Sequence, residues 1–120
     1  MKNTLTVVHK RIYDEVSADD GQRILVDRLW PRGVKKETAK IDVWAKELTP
    51  STDLRQWFHE DTDSRYQTFT KRYVDELKDK ADAVATIVDH RHHTITLLTA
   101  AKDIEHSHIP TLQKFITDNA

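Results

Sequence analysis

The chain has 120 residues, with 19 Lys plus Arg against 20 Asp plus Glu and a net charge of -1 at pH 7. That balance excludes a general field drawing the whole protein onto nucleic acid or an anionic membrane, so such binding would need a local patch. The absence of cysteine excludes disulfides, thiolate nucleophiles and cysteine zinc sites, and the length suits one domain, 1–120, that buries about two thirds of its unfolded surface.

In chain order, Leu5, Val7, Val8 and Ile12 predict a first strand. The apolar run there is shorter than the ~7 to 15 residues of a signal-peptide core, and no segment approaches the ~20 apolar residues of a membrane span, so a cytoplasmic protein is expected. A turn signal, DDGQ at 19–22, precedes Ile24-Leu25-Val26. This run is continuously apolar, as in a strand buried on both faces between helices.

Downstream, Ile41, Trp44, Ala45 and Leu48 recur at spacings of three and four and predict a helix that stops at Thr49-Pro50-Ser51. Ser51 suits the N-cap of the next helix, with Leu54, Trp57 and Phe58 as its apolar stripe and Arg55 and Gln56 on its polar side. After a loop at 59–64, Tyr66, Phe69, Tyr73, Val74 and Leu77 mark a third helix. Ala81, Val84, Ala85 and Val88 suggest a fourth, with a strand as the alternative. TITLLT at 94–99 is the strongest strand of the chain, and Pro110 opens a last helix with Ile109, Leu112, Phe115 and Ile116 inward. The order implies an α/β fold, a single three-layer domain with a small, mostly parallel sheet and flanking helices. The short link between the first two strands leaves an antiparallel pairing as the alternative there.

In a parallel sheet the loops after the strands gather at one edge, where open α/β sheets bind ligands. Two loops qualify: DRLWPRGVKKE at 27–37 and AAKDIEHSH at 100–108. The first offers Arg28, Arg32 and Lys35 around a turn stiffened by Pro31 and freed by Gly33, a combination suited to a phosphate or carboxylate. Trp30 could stack on a ligand or plug the sheet edge. The second loop offers Asp103, Glu105, His106 and His108 for acid and base work, with His106 foremost because an imidazole titrates near neutrality. The structural alternatives are that Arg28 and Arg32 pair with carboxylates such as Asp27, Asp103 or Glu105, and that Asp103 and Ser107 cap the last helix.

His90, His92 and His93 precede the strand at 94–99 while His106 and His108 follow it, and neither group has metal-site spacing, so no metal is expected. No cofactor is implied. The leading expectation is a small-molecule site for an anionic metabolite at the C-terminal edge of the sheet, with no membrane and no nucleic acid as partner. The rival is a non-enzymatic module that binds protein or nucleic acid through the 28–36 loop.

RILVDRLWPRGVKKE at 23–37, WAKELTPSTDLRQWF at 44–58, FTKRYVDEL at 69–77 and TLLTAAKDIEHSH at 96–108 together resemble the YeaO-like branch of the bacterial domain of unknown function 488 family. The resemblance spans roughly residues 7 to 116. It implies a small cytoplasmic α/β domain and supplies no reaction. VDRLWPRG is similar to the wider family's V-D-x-R-x-x-P segment and keeps Asp27 and Pro31. Where that family has Cys-Ala-Glu and then Cys-His-Arg, this chain has Thr99-Ala100-Ala101 and His106-Ser107-His108, so thiol chemistry in relatives is not available here. The MarR-type regulator label carried by some members requires a winged helix-turn-helix with a basic reading surface, and the sequence shows neither.

Overall fold

The computed structural model describes residues 5–89 and 93–119. Strands β1 (Thr6–Arg11), β2 (Gln22–Leu25), β3 (Val43–Trp44) and β4 (Thr94–Thr99) form one sheet in the order β1-β4-β2-β3, parallel at every pairing. The helices are α1 (Lys36–Ala39), α2 (Thr52–His59), α3 (Thr62–Leu77), α4 (Ala81–Ile87) and α5 (Ile109–Asn119). None is long and apolar enough to cross a membrane.

The first two strands run parallel, yet they are not neighbours. β4 lies between them, with Thr6 opposite Thr94 on one side and Gln22 opposite Ile95 on the other. The chain passes over β4 through a 3-10 turn at Ala18–Asp20, whose Asp20 carbonyl accepts the Thr96 hydroxyl at 2.7 Å. Gly21 ends the turn at φ +63, and its α-carbon lies so close to the Thr94 carbonyl that a Cβ would fall 2.0 Å from that oxygen. The turn signal in DDGQ therefore marks a place where only glycine fits.

The apolar run Ile24-Leu25-Val26 is fully buried and divides between the two faces. On one face Ile24, Val26, Ile95 and Leu97 pack against α2 to α5 through Leu54, Phe58, Phe69, Tyr73, Leu77, Val84, Ile109, Leu112 and Ile116. On the other, Leu25, Leu98 and Ile12 meet Ile41, with Trp30, Val34, Ala39 and Trp44 around them. Each such buried side chain contributes about 1.5 to 3 kcal/mol relative to exposure. The domain thus has three layers of unequal thickness: four helices, the sheet, and a thin cover drawn from residues 30–44.

The helix expected over 41–48 does not form. Val43 and Trp44 are instead the edge strand β3, paired with Ile24 and Leu25, and Lys46–Leu48 is a 3-10 turn. The spacing misleads because the apolar residues serve two cores: Ile41 and Trp44 face the thin layer, Ala45 and Leu48 the helical one. A further short helix, α1, lies within and just beyond the stretch expected to be a loop.

The other helices form where their stripes place them. The Ser51 hydroxyl accepts the Leu54 N–H at 3.2 Å, and both its N–H and its hydroxyl donate to the Glu76 carboxylate of α3, at 2.8 and 2.6 Å. Asp61 caps α3 by accepting from Ser64. Val74 falls outside the buried stripe and is exposed, whereas Val84 and Val88 turn inward from α4 and Ala85 outward.

Candidate functional site

β2 and β4 run side by side and end together, so the residues that follow them meet at one edge. Asp27 joins the two ends. Its Oδ1 accepts the Thr99 hydroxyl at 2.6 Å and its Oδ2 the Ala100 N–H at 2.7 Å. Its carbonyl accepts the Trp44 indole N–H at 2.7 Å, tying in β3. The Thr99 hydroxyl in turn accepts the Ala101 N–H at 3.1 Å. Two strand ends and a side chain from the neighbouring strand are thereby held by one residue.

His108 reaches the same point from the start of α5. Its Nε2 lies 2.6 Å from the Val26 carbonyl, which can only accept, so Nε2 carries the proton. Burial lowers the pKa of this imidazole, and the Arg55 and His59 side chains push the same way, against the Val26 carbonyl and Asp27. His108 is neutral at pH 7, although Asp27 Oδ1 stands 4.0 Å away.

Above these residues opens a cavity of about 690 Å³ between the strand ends and the α2–α3 pair. Arg28 projects from the end of β2, half-buried, its Nε donating to the Pro50 carbonyl at 3.1 Å. Arg55 enters from α2, and His59 and Lys102 complete the basic groups beside the histidines 106 and 108. Among the described residues, neither Arg28 nor Arg55 forms an ion pair. Of the carboxylates on the wall, Asp27 is engaged as above, Asp103 is held by His106, and Asp63 lies in the first turn of α3. The balance of unpaired charge is positive.

At the mouth, His106 Nδ1 lies 2.8 Å from Asp103 Oδ2, both side chains about two thirds exposed at 65% and 68%. The hydrogen bond to Asp103 and its charge raise the His106 pKa. The ring of His106 meets that of Tyr66 edge-on at 5.6 Å. Tyr66 is fixed because its hydroxyl, 3.1 and 3.0 Å from the Glu105 and Ser107 carbonyls, donates to this turn. Burial, then the charge of Asp103, raises the Tyr66 pKa, so the hydroxyl stays a donor. Ser107 caps α5 by accepting the Ile109 N–H at 3.1 Å, whereas Asp103 is turned to His106 and does not cap.

Arg28, Trp30, Asp103 and His106 thus line one cavity. Arg32, Lys35 and Glu105 do not: all three are exposed, Arg32 giving only its carbonyl to the Tyr13 hydroxyl and Glu105 its carbonyl to Tyr66. Lys35 stands instead on a smaller groove of about 470 Å³ beside Trp30 and Trp44. Trp30 separates the two hollows, its indole N–H donating to Val34 at 2.8 Å and its ring edge-on to Trp44 at 5.1 Å. No bridge joins Arg28 or Arg32 to Asp27, Asp103 or Glu105 among the described residues.

The sequence did not single out Arg55 or Tyr66 for the site. Arg55 lies three residues before Phe58, one helical turn away, and that spacing was the available signal. His90 and His92 lie outside the described residues, and His93 sits exposed at the opposite edge, before β4. Among the described residues no group of three or more His, Asp or Glu side chains could hold a metal ion.

The chain is 42% identical over 108 residues to the uncharacterised protein YeaO of Escherichia coli (strain K12), covering 89% of this chain and 93% of that protein. It is 35% identical over 106 residues to uncharacterised proteins of Mycobacterium tuberculosis and Mycobacterium bovis, covering 88% of this chain and 89% of each. No solved structure matches it. Residues 6–120 match the family model DUF488-N3i, described as the inactive DUF488-N3 subclade, and with these YeaO-like relatives the match shows that the chain belongs to that family.

Proposed function

We propose that the protein binds a small anionic metabolite, a phosphate or carboxylate, in the cavity at the C-terminal edge of the sheet, and does not turn it over. One observation carries the reading: two arginines, Arg28 and Arg55, line one cavity without a carboxylate partner among the described residues. Half-buried arginines without counter-ions favour an external anion, because charged groups taken out of water are ordinarily paired. The His106–Asp103 pair at the mouth orients the ligand by donating a hydrogen bond. The family's description as an inactive subclade supports binding without catalysis.

Thermal unfolding in inorganic phosphate and in citrate tests this. Either anion should raise the melting temperature of the parent, since a ligand at 100 times its Kd stabilises by about 2.7 kcal/mol. Arg28→Gln and Arg55→Gln should each lose most of that gain, as each removes a charge-assisted hydrogen bond of roughly 1.5 to 3 kcal/mol. Parent and variants shifting alike would remove the basis for the reading.

A further inference from the structure

We infer that the ligand of this cavity carries a planar aromatic ring beside its anionic group; the inference rests on the anion reading above. The cavity is large for a bare anion. At ~30 Å³ per water, a cavity of about 690 Å³ has the room of some twenty waters, and a bare phosphate or small carboxylate would leave most of it filled with solvent. The volume instead lies in the range of sites that enclose a larger organic molecule, about 300 to 1,000 Å³.

Its walls favour the same kind of ligand. Phe58, Tyr66, Phe69 and Trp30 bring four rings to its wall, among threonine, serine, proline and alanine side chains. Phe58 and Phe69 stack at 4.1 Å, and Tyr66 lies 5.9 and 6.2 Å from them, so the two buried phenyl rings back a half-buried tyrosine. The bonds to the 105–107 turn fix the Tyr66 ring before any ligand arrives. Leu29, 64% exposed, adds an uncovered apolar side chain at the rim. Such a wall against two planar guanidinium groups is complementary to a flat molecule, which can present a face or edge to the rings at 4.5 to 7 Å while its charge meets the arginines.

Calorimetric titration of the full chain with matched probe pairs tests the inference: phenyl phosphate against methyl phosphate, phenylacetate against acetate, and benzyl alcohol as a ring without charge. The ring-bearing anion should bind about tenfold more tightly than its ring-free partner in at least one pair, the scale of one or two aromatic contacts. The pair that shows the gain assigns the charge to a phosphate or to a carboxylate. Arg55→Gln should weaken both members of that pair. Tyr66→Leu should remove the ring's advantage and spare the ring-free anion, and if that variant fails to unfold cooperatively the probe pairs on the parent decide alone. Equal binding within both pairs would overturn the inference and leave the anion reading standing. Benzyl alcohol binding as tightly as phenyl phosphate, with Arg55→Gln without effect, would overturn the anion reading and the inference with it, as would binding of no probe.

Discussion

Asp27 uses both carboxylate oxygens to hold the ends of β2 and β4 together. A neutral amide cannot accept at both positions, so Asp27→Asn should cost about 1.5 to 3 kcal/mol, the worth of hydrogen bonds to a charged group. Chemical denaturation measures this, and Thr99→Ser, which keeps the hydroxyl, should cost less. His108 beside it and His106 at the cavity mouth are perturbed in opposite directions. His108, whose folded pKa is lowered by burial, resists a proton that the unfolded chain accepts, so it costs stability as pH falls from about 6.5 towards its folded value. His106, raised by Asp103, contributes fully below about 6.5 and loses that contribution as pH rises through its folded value. An NMR titration should place His106 above 6.5 and His108 below it, and coincident titrations would contradict the geometry. At this scale the sequence marked Arg28, Trp30, Asp103 and His106 correctly as neighbours of one edge, but it could not say that Arg32 and Lys35 turn away, because a loop's side-chain directions are set by what it packs on. Pro31 is buried while Arg32 and Gly33 are exposed, and nothing in VDRLWPRG reports that difference.

The turn that carries the chain from β1 to β2 depends on one backbone position. Gly21 combines φ +63 with a contact that any Cβ would bring to 2.0 Å from the Thr94 carbonyl. Since a backbone oxygen cannot rotate away as a side chain can, Gly21→Ala should destabilise by about 3 kcal/mol or more. Gly33, at φ +77 with open space around it, should cost only the conformational penalty of about 1 kcal/mol in Gly33→Ala. Equilibrium unfolding of the two variants side by side checks the order. Helices α2, α3 and α5 were legible because each buries a single face, and a cap or proline marks where each starts. The 41–48 segment was not, because its residues feed two cores at once and so imitate a helical period. An edge strand of two residues has too little length for an alternating pattern to show.

At the scale of the molecule, the sheet is assembled around the strand that comes last. β4 supplies the partner for both β1 and β2, which do not pair with each other. The sequence predicted β1, β2 and β4 and a mostly parallel sheet while leaving the direction of the first two strands open, and the insertion of β4 between them was hidden, since strand order is decided by contacts between residues some 88 positions apart and leaves no local trace. A chain ending at residue 89 keeps α2 to α4 but leaves the inner edges of β1 and β2 unpaired and lacks the Thr99, His106 and His108 wall of the cavity. It should show no cooperative thermal transition by circular dichroism and no response to phosphate, and a cooperative melt would mean that the helical layer folds without the sheet. The same arrangement governs synthesis. Because β4 follows β1 and β2 only after the whole of α1 to α4, a polypeptide still on the ribosome holds its first two strands open until β4 has emerged. A product that ends before β4 would then expose unpaired edges and be left to proteolysis, and only a chain that carries β4 and the turn after it would close the cavity wall.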